Sequence, residues 1–222
     1  PDISALKSTL ETNKNYQITT AYIGDPGLDV GKFDFILLHN LPSTTNDISG
    51  LLNTMNDRRI PRLFVAGMQT GYSALSRVQG LVSLQSDGSQ SDEVQGRVSP
   101  QFAAFSLSPR VLEELPKFNP MTSAFGTFAA TPQAQVLLRK RIGKVDTDQP
   151  LLAVGETNGV KTGILLGEGL WRWRLFDFLQ HQNHEIFDEL MSKTVQYLSL
   201  KEDKRKFRVT LDKNIFNETI MN

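Results

Sequence analysis

The chain contains no cysteine. That absence excludes disulfides, thiolate metal sites and cysteine nucleophiles together. Charge of one sign is missing as well, because 24 Lys and Arg residues cancel 24 Asp and Glu residues, so the balance gives no pointer to nucleic acid or to an acidic partner. The basic runs at Arg139-Lys140-Arg141 and from Lys201 to Arg208 do not alter this, since Glu202 and Asp203 interrupt the second and make it a solvated face. Long apolar runs are absent: none approaches the roughly 18 residues of a membrane span, and no basic-then-apolar leader opens the chain. The sequence starts at Pro1-Asp2 without Met and ends in a strand-like stretch, which reads as a piece of a longer protein.

What is present describes one globular domain. A chain of 222 residues can bury a single core, and its hydrophobic share of 39% suits an ordinary fold. Asp2, Ile3, Leu6 and Leu10 predict an amphipathic helix over 2–13, with Asp2 as its cap. Strands follow at 17–23 and 33–38, then a helix carrying Ile48, Leu51, Leu52 and Met55, then a buried strand over 61–66. This strand, helix, strand alternation predicts a mainly parallel sheet, doubly wound in flavodoxin-like order, with 33–38 and 61–66 central. Residues 84–100, rich in Ser, Gln, Gly and Asp, read as an exposed loop. Ser108-Pro109 starts a short helix, and 125–128 and 135–141 read as strands. Asn158-Gly159 sets a tight hairpin between 151–156 and 160–166. A long helix runs over 186–198. Phe207, Val209 and Leu211 then alternate as a strand after a charged linker, so the expected division is 1–200 for the α/β domain and 201–222 for the start of a following β domain.

The stretch Leu63 to Gly71 runs from a buried strand into Gly67-Met68-Gln69-Thr70-Gly71. Glycines flanking a central residue in this way suit either a nucleophile elbow or a plain strand-to-helix turn. The pattern resembles the Gly-x-Cys-x-Gly elbow of class I glutamine amidotransferases, but with Gln69 at the centre, and an amide is not a nucleophile. That family's glycine-rich oxyanion loop is replaced by His39-Asn40-Leu41-Pro42, and its His-x-Glu by Gly167-Glu168-Gly169. With the segment Gly167 to Phe176, the run Leu38 to Ser43 and Tyr197-Leu198-Ser199, residues 1 to about 200 resemble the amidotransferase-like domain of uncharacterised Bacteroidetes membrane proteins. The resemblance implies a class I glutamine amidotransferase-like fold that lacks a central first strand before Pro1. It also implies a parent anchored by helices outside this segment, at the periplasmic face of the inner membrane, and followed by immunoglobulin-like domains.

Three roles follow from the departures. The first is a non-catalytic pseudoenzyme module that binds a protein or a cell-envelope partner. The second is a hydrolase or ligand-binding enzyme with a relocated site, His39 acting as base and Asn40, Gln69 or Glu168 orienting a substrate at the carboxyl edge of the sheet. The third is a structural spacer. Trp171, Arg172, Trp173 and Arg174 suit a stacking and carboxylate-binding platform, or else packing that buries both indoles. The candidate ligand site is therefore His39, Asn40, Gln69, Glu168, Trp171 and Arg172. His181-Gln182-Asn183-His184-Glu185 matches neither common zinc-helix order, and no residue pattern calls for a metal or cofactor.

Overall fold

The computed structural model describes residues 1–200. The strand predicted around 207–211 and the proposed boundary at 201 lie outside the described residues. Helix α1 (Asp2–Leu10) leads through an extended stretch to strand β1 (Ile36–His39), helix α2 (Ser49–Asp57), strand β2 (Arg62–Ala66) and helix α3 (Tyr72–Gln79). Strands β3 (Val82–Gln85) and β4 (Ser91–Val98), helix α4 (Pro109–Glu114), and strands β5 (Met121–Ala124), β6 (Thr127–Ala130) and β7 (Ala134–Ile142) make the middle. The long hairpin β8 (Val145–Thr157) and β9 (Val160–Leu166) is followed by helices α5 (Leu170–His181) and α6 (Glu185–Ser199).

The sheet is not the mainly parallel, doubly wound flavodoxin-like sheet that the early alternation predicts. Its seven strands run in the order β1-β2-β9-β8-β7-β4-β5 and curl as a half-barrel; only β1, β2 and β9 are parallel. The remaining pairings are antiparallel. The cause is turn length. Two residues, Gly143-Lys144 and Asn158-Gly159, join β7 to β8 and β8 to β9, and connections that short reverse the chain, whereas a parallel neighbour needs a crossover of a dozen residues or more. The Asn158-Gly159 hairpin is as the sequence predicts, with φ of 52° and 75° at the two positions. Register shifts between β7 and β8 bend the long strands.

Three further expectations fail. Residues 17–23 form no strand and are largely exposed. The 33–38 segment contributes only Ile36–His39 to the sheet, at its edge rather than its centre. The polar stretch 84–100 holds β4, which pairs with both β7 and β5. Its polar residues tolerate this because only Val94 and Gly96 turn fully inward, and Gly96 leaves room for Trp173, whose ring would lie 3.3 Å from a Cβ there.

Both faces of the sheet are covered, and alternation along the strands divides the core. Leu63, Val65, Leu152, Val154 and Leu165 face α1, α4, α5 and α6. Phe64, Ala66, Ala153, Ile164 and Leu166 face α2, α3 and the β3–β6 ribbon. All five residues of β2 are buried, as its apolar run predicts.

Candidate functional site

The carboxyl ends of β1, β2 and β9 bring most of the predicted residues to one region, but not into one pocket. His39 closes β1. Its Nε2 is buried, lies 3.8 Å from Asp2 Oδ2, and has no hydrogen-bond partner. Asp2 is the residue the sequence hides best. Expected to cap its own helix, it caps another one instead: α1 has no side-chain cap, and the Asp2 carboxylate accepts from Gly169 N at 2.8 Å and Trp171 N at 3.1 Å, at the start of α5. Burial pushes the Asp2 carboxyl up, but the neighbouring His39 and the two amides outweigh it and hold the carboxyl below the usual Asp range.

Asn40 follows in the left-handed region, φ 54°, a conformation Asn tolerates better than most side chains. Its Oδ1 accepts from Thr70 Oγ1 at 3.0 Å, and Thr70 Oγ1 in turn accepts from Gly67 N at 3.0 Å. Glu168, just past β9, pairs its backbone with Thr122 on β5 at 2.8 and 2.9 Å. Its Oε2 accepts from Met68 N at 3.2 Å. Behind these groups lies Tyr72, whose phenol burial first and the Glu168 charge second push far above its ordinary range, so it stays protonated.

This geometry decides the reading of Gly67 to Gly71. No residue in that stretch has a positive φ, Gln69 is exposed, and α3 begins directly at Tyr72. The turn is a plain strand-to-helix connection rather than a strained elbow. The Thr70 amide, which follows the central residue and which an elbow would hold free for an oxyanion, donates instead to Gly67 O at 3.1 Å, and the Met68 amide is taken by Glu168. A Cβ at Gly67 would overlap Glu168 Oε2 and sit 2.7 Å from Asn40 Oδ1, so this glycine makes room for two side chains rather than for a ligand.

The Trp-Arg segment is split by its helix. Positions 171 and 173 are about 200° apart around an α-helix, so Trp173 is 1% exposed and Trp171 42% exposed. Packing that buries both indoles is therefore ruled out. Trp173 Nε1 donates to Asn119 O at 2.7 Å and its ring stands edge-on to Phe118. Arg172 is engaged by donating to Thr122 Oγ1 at 3.0 Å, with its guanidinium 5.8 Å over the Trp171 ring. His181 Nδ1 lies 2.8 Å from Asp177 Oδ1, and His184 Nδ1 3.0 Å from Arg174 O. Asp177 Oδ2 meanwhile accepts from the Ile186 and Phe187 amides at the start of α6. These contacts tie α5 to α6, and among the described residues no group of three or more His, Asp or Glu side chains could hold a metal ion.

No protein-family model and no curated protein matches the chain. Among solved structures it is similar to cytoplasmic protein STM3548 from Salmonella typhimurium, with a TM-score of 0.49 at 15% identity over 77% of this chain and 74% of that one. It is also similar to cytoplasmic protein STM1381 from Salmonella typhimurium LT2, with a TM-score of 0.46 at 13% identity over 72% and 71% of the two chains. Neither lends support to the membrane-anchored, periplasmic parent that the sequence resemblance implies. Among the described residues, no helix is long and apolar enough to cross a membrane.

Proposed function

We propose that this domain is a non-catalytic binding or scaffolding module. The observation that carries the reading is the occupied carboxyl edge. The Thr70 amide turns back to Gly67 O, Glu168 takes the Met68 amide, the Thr70 hydroxyl satisfies Asn40, and Asp2 is committed to the start of α5. His39 Nε2 is enclosed beside Asp2 and so is closed to a substrate. A catalytic base must come within hydrogen-bond reach of the proton it takes, and an oxyanion needs free donors. An interaction role draws further support from α5. Trp171, Leu175, Phe178 and Leu179 recur at i, i+4, i+7 and i+8 and are all exposed, so the helix turns a continuous apolar stripe outward.

Release of glutamate and ammonia from glutamine, assayed at high protein concentration with wild type and Gln69→Cys, tests the absence of catalysis. Both are expected to stay at background, because the new thiol would stand near the Glu168 carboxylate, which disfavours thiolate, and no free amide would face it. Turnover by the wild type would overturn the proposal.

A further inference from the structure

At the opposite ends of β2 and β9 lies a cleft of about 370 Å³, which falls in the size range of small-molecule sites. Helix α2 supplies one wall through Ser49, Asn53 and Asn56; Thr157, at the end of β8, stands across from it. Two arginines line it, Arg62 from the first position of β2 and Arg77 from the last turn of α3, and no Asp or Glu does.

Arg62 is unusual for its place. It is 3% exposed, it opens a strand buried along its whole length, and no carboxylate pairs with it among the described residues. Its single side-chain hydrogen bond among the described residues runs from Nη2 to Asn56 Oδ1 at 2.8 Å, and its Nε is left without a partner. Burial lowers its pKa from the ordinary arginine value, the signature of a cation whose lost hydration nothing of opposite charge replaces. Arg77 is exposed and likewise pairs with no carboxylate among the described residues. Asp47, the acid nearest along the chain to Ser49, is turned to the Ser49 amide and hydroxyl as a local cap and is not part of the lining.

We infer that this cleft binds a small molecule bearing an oxyanion, a phosphate or a carboxylate, with Arg62 and Arg77 as the anion's partners. A guanidinium presents a planar fork that matches either group, and one held in a low-dielectric wall interacts more strongly than one in water. The hydroxyls and side-chain amides around it can bond the uncharged remainder of such a molecule, and Leu52 and Val78 give it an apolar wall. The site is independent of the carboxyl-edge reading above. It also breaks the usual placement of ligands at the carboxyl ends of parallel strands.

The test is calorimetric titration of the domain, at constant ionic strength, with inorganic phosphate in one arm and succinate in the other, each up to about 10 mM, which reads dissociation constants in the millimolar range. Saturable binding in either arm is expected and identifies which oxyanion is preferred. Arg77→Glu, a surface change that leaves the fold intact, is expected to weaken that binding by tenfold or more, and Arg62→Gln to abolish it. If Arg62→Gln fails to fold, the Arg77→Glu result decides. Absence of saturable binding in both arms overturns the inference, as does wild-type affinity in Arg77→Glu.

Discussion

The two ends of strands β2 and β9 hold the same kinds of residue in opposite states. At the carboxyl ends, Asn40, Thr70, Met68 and Glu168 are bonded to one another across three strands, and the space between them is filled. At the amino ends, a buried guanidinium has one neutral partner and faces an open cleft. Polar residues at a strand end are thus no guide to a site by themselves. A satisfied cluster fixes loops in place, and unmet charge beside free volume is what a ligand can still improve. The carboxyl edge is where parallel strands of open α/β sheets ordinarily bind ligands, yet in this chain the carboxyl ends of β1, β2 and β9 spend their capacity for hydrogen bonding internally.

If that edge is filled, enlarging a side chain there has the greatest effect. Gly67→Ala is expected to destabilise the domain by about 2 kcal/mol, since the methyl overlaps the Glu168 carboxylate and crowds Asn40, and both must leave buried partners. Gly50, in the first turn of α2 beside the open end of the sheet, would have nothing within 4 Å of an added methyl. Gly50→Ala is expected to be stabilising by about 0.5 kcal/mol through helix propensity. Urea denaturation of the two variants measures both. Equal effects would remove the contrast between the ends.

A smaller effect sharpens the electrostatic side. Asp2→Ala removes the cap of α5 and is expected to cost about 1–2 kcal/mol at neutral pH. Because the folded carboxyl lies below its ordinary value, the stability it contributes is whole above the unfolded Asp pKa, near 4, and is lost as pH falls through the lower folded pKa. The gap between wild type and Asp2→Ala should therefore close as pH is lowered from about 5 downward. Denaturation midpoints across that range give the answer, and a gap that widens toward acid would mean that burial, not the amides and His39, controls the group.

Much of this contrast is hidden from the sequence for identifiable reasons. Local signals carry well: the apolar run of β2, the Asn158-Gly159 turn, the Ser108-Pro109 start, where Ser108 Oγ accepts from Val111 N at 3.3 Å, and the stripe of α6 all act within a few residues. Strand direction does not, because the alternation that precedes β3 gives no notice that two-residue turns will reverse the chain twice later. β4 escapes because an inner-facing position can be filled by a glycine under Trp173. The pattern places the strand ends bearing His39, Asn40, Gln69 and Glu168 in the right region, but their partners Asp2, Thr70 and Thr122 come from distant segments. Arg62 does carry a signal in the sequence, as a lone charge opening an otherwise apolar buried strand, but nothing local says that its partner will be neutral.

The smallest expected effect bears on the turn itself. A nucleophile elbow holds its central residue in a strained conformation, and glycine at that point would relieve about 1–3 kcal/mol. Gln69 has no positive φ and is exposed, so there is no strain for glycine to release. What remains is the unfolded chain, in which glycine has more conformations to lose on folding than glutamine. Gln69→Gly should accordingly destabilise the domain by about 0.5 kcal/mol, a loss that equilibrium urea denaturation can resolve against Gln69→Ala as the reference without added backbone freedom. A variant more stable than wild type would show stored strain at Gln69. It would return the turn to the elbow class and with it the case for chemistry at the carboxyl edge.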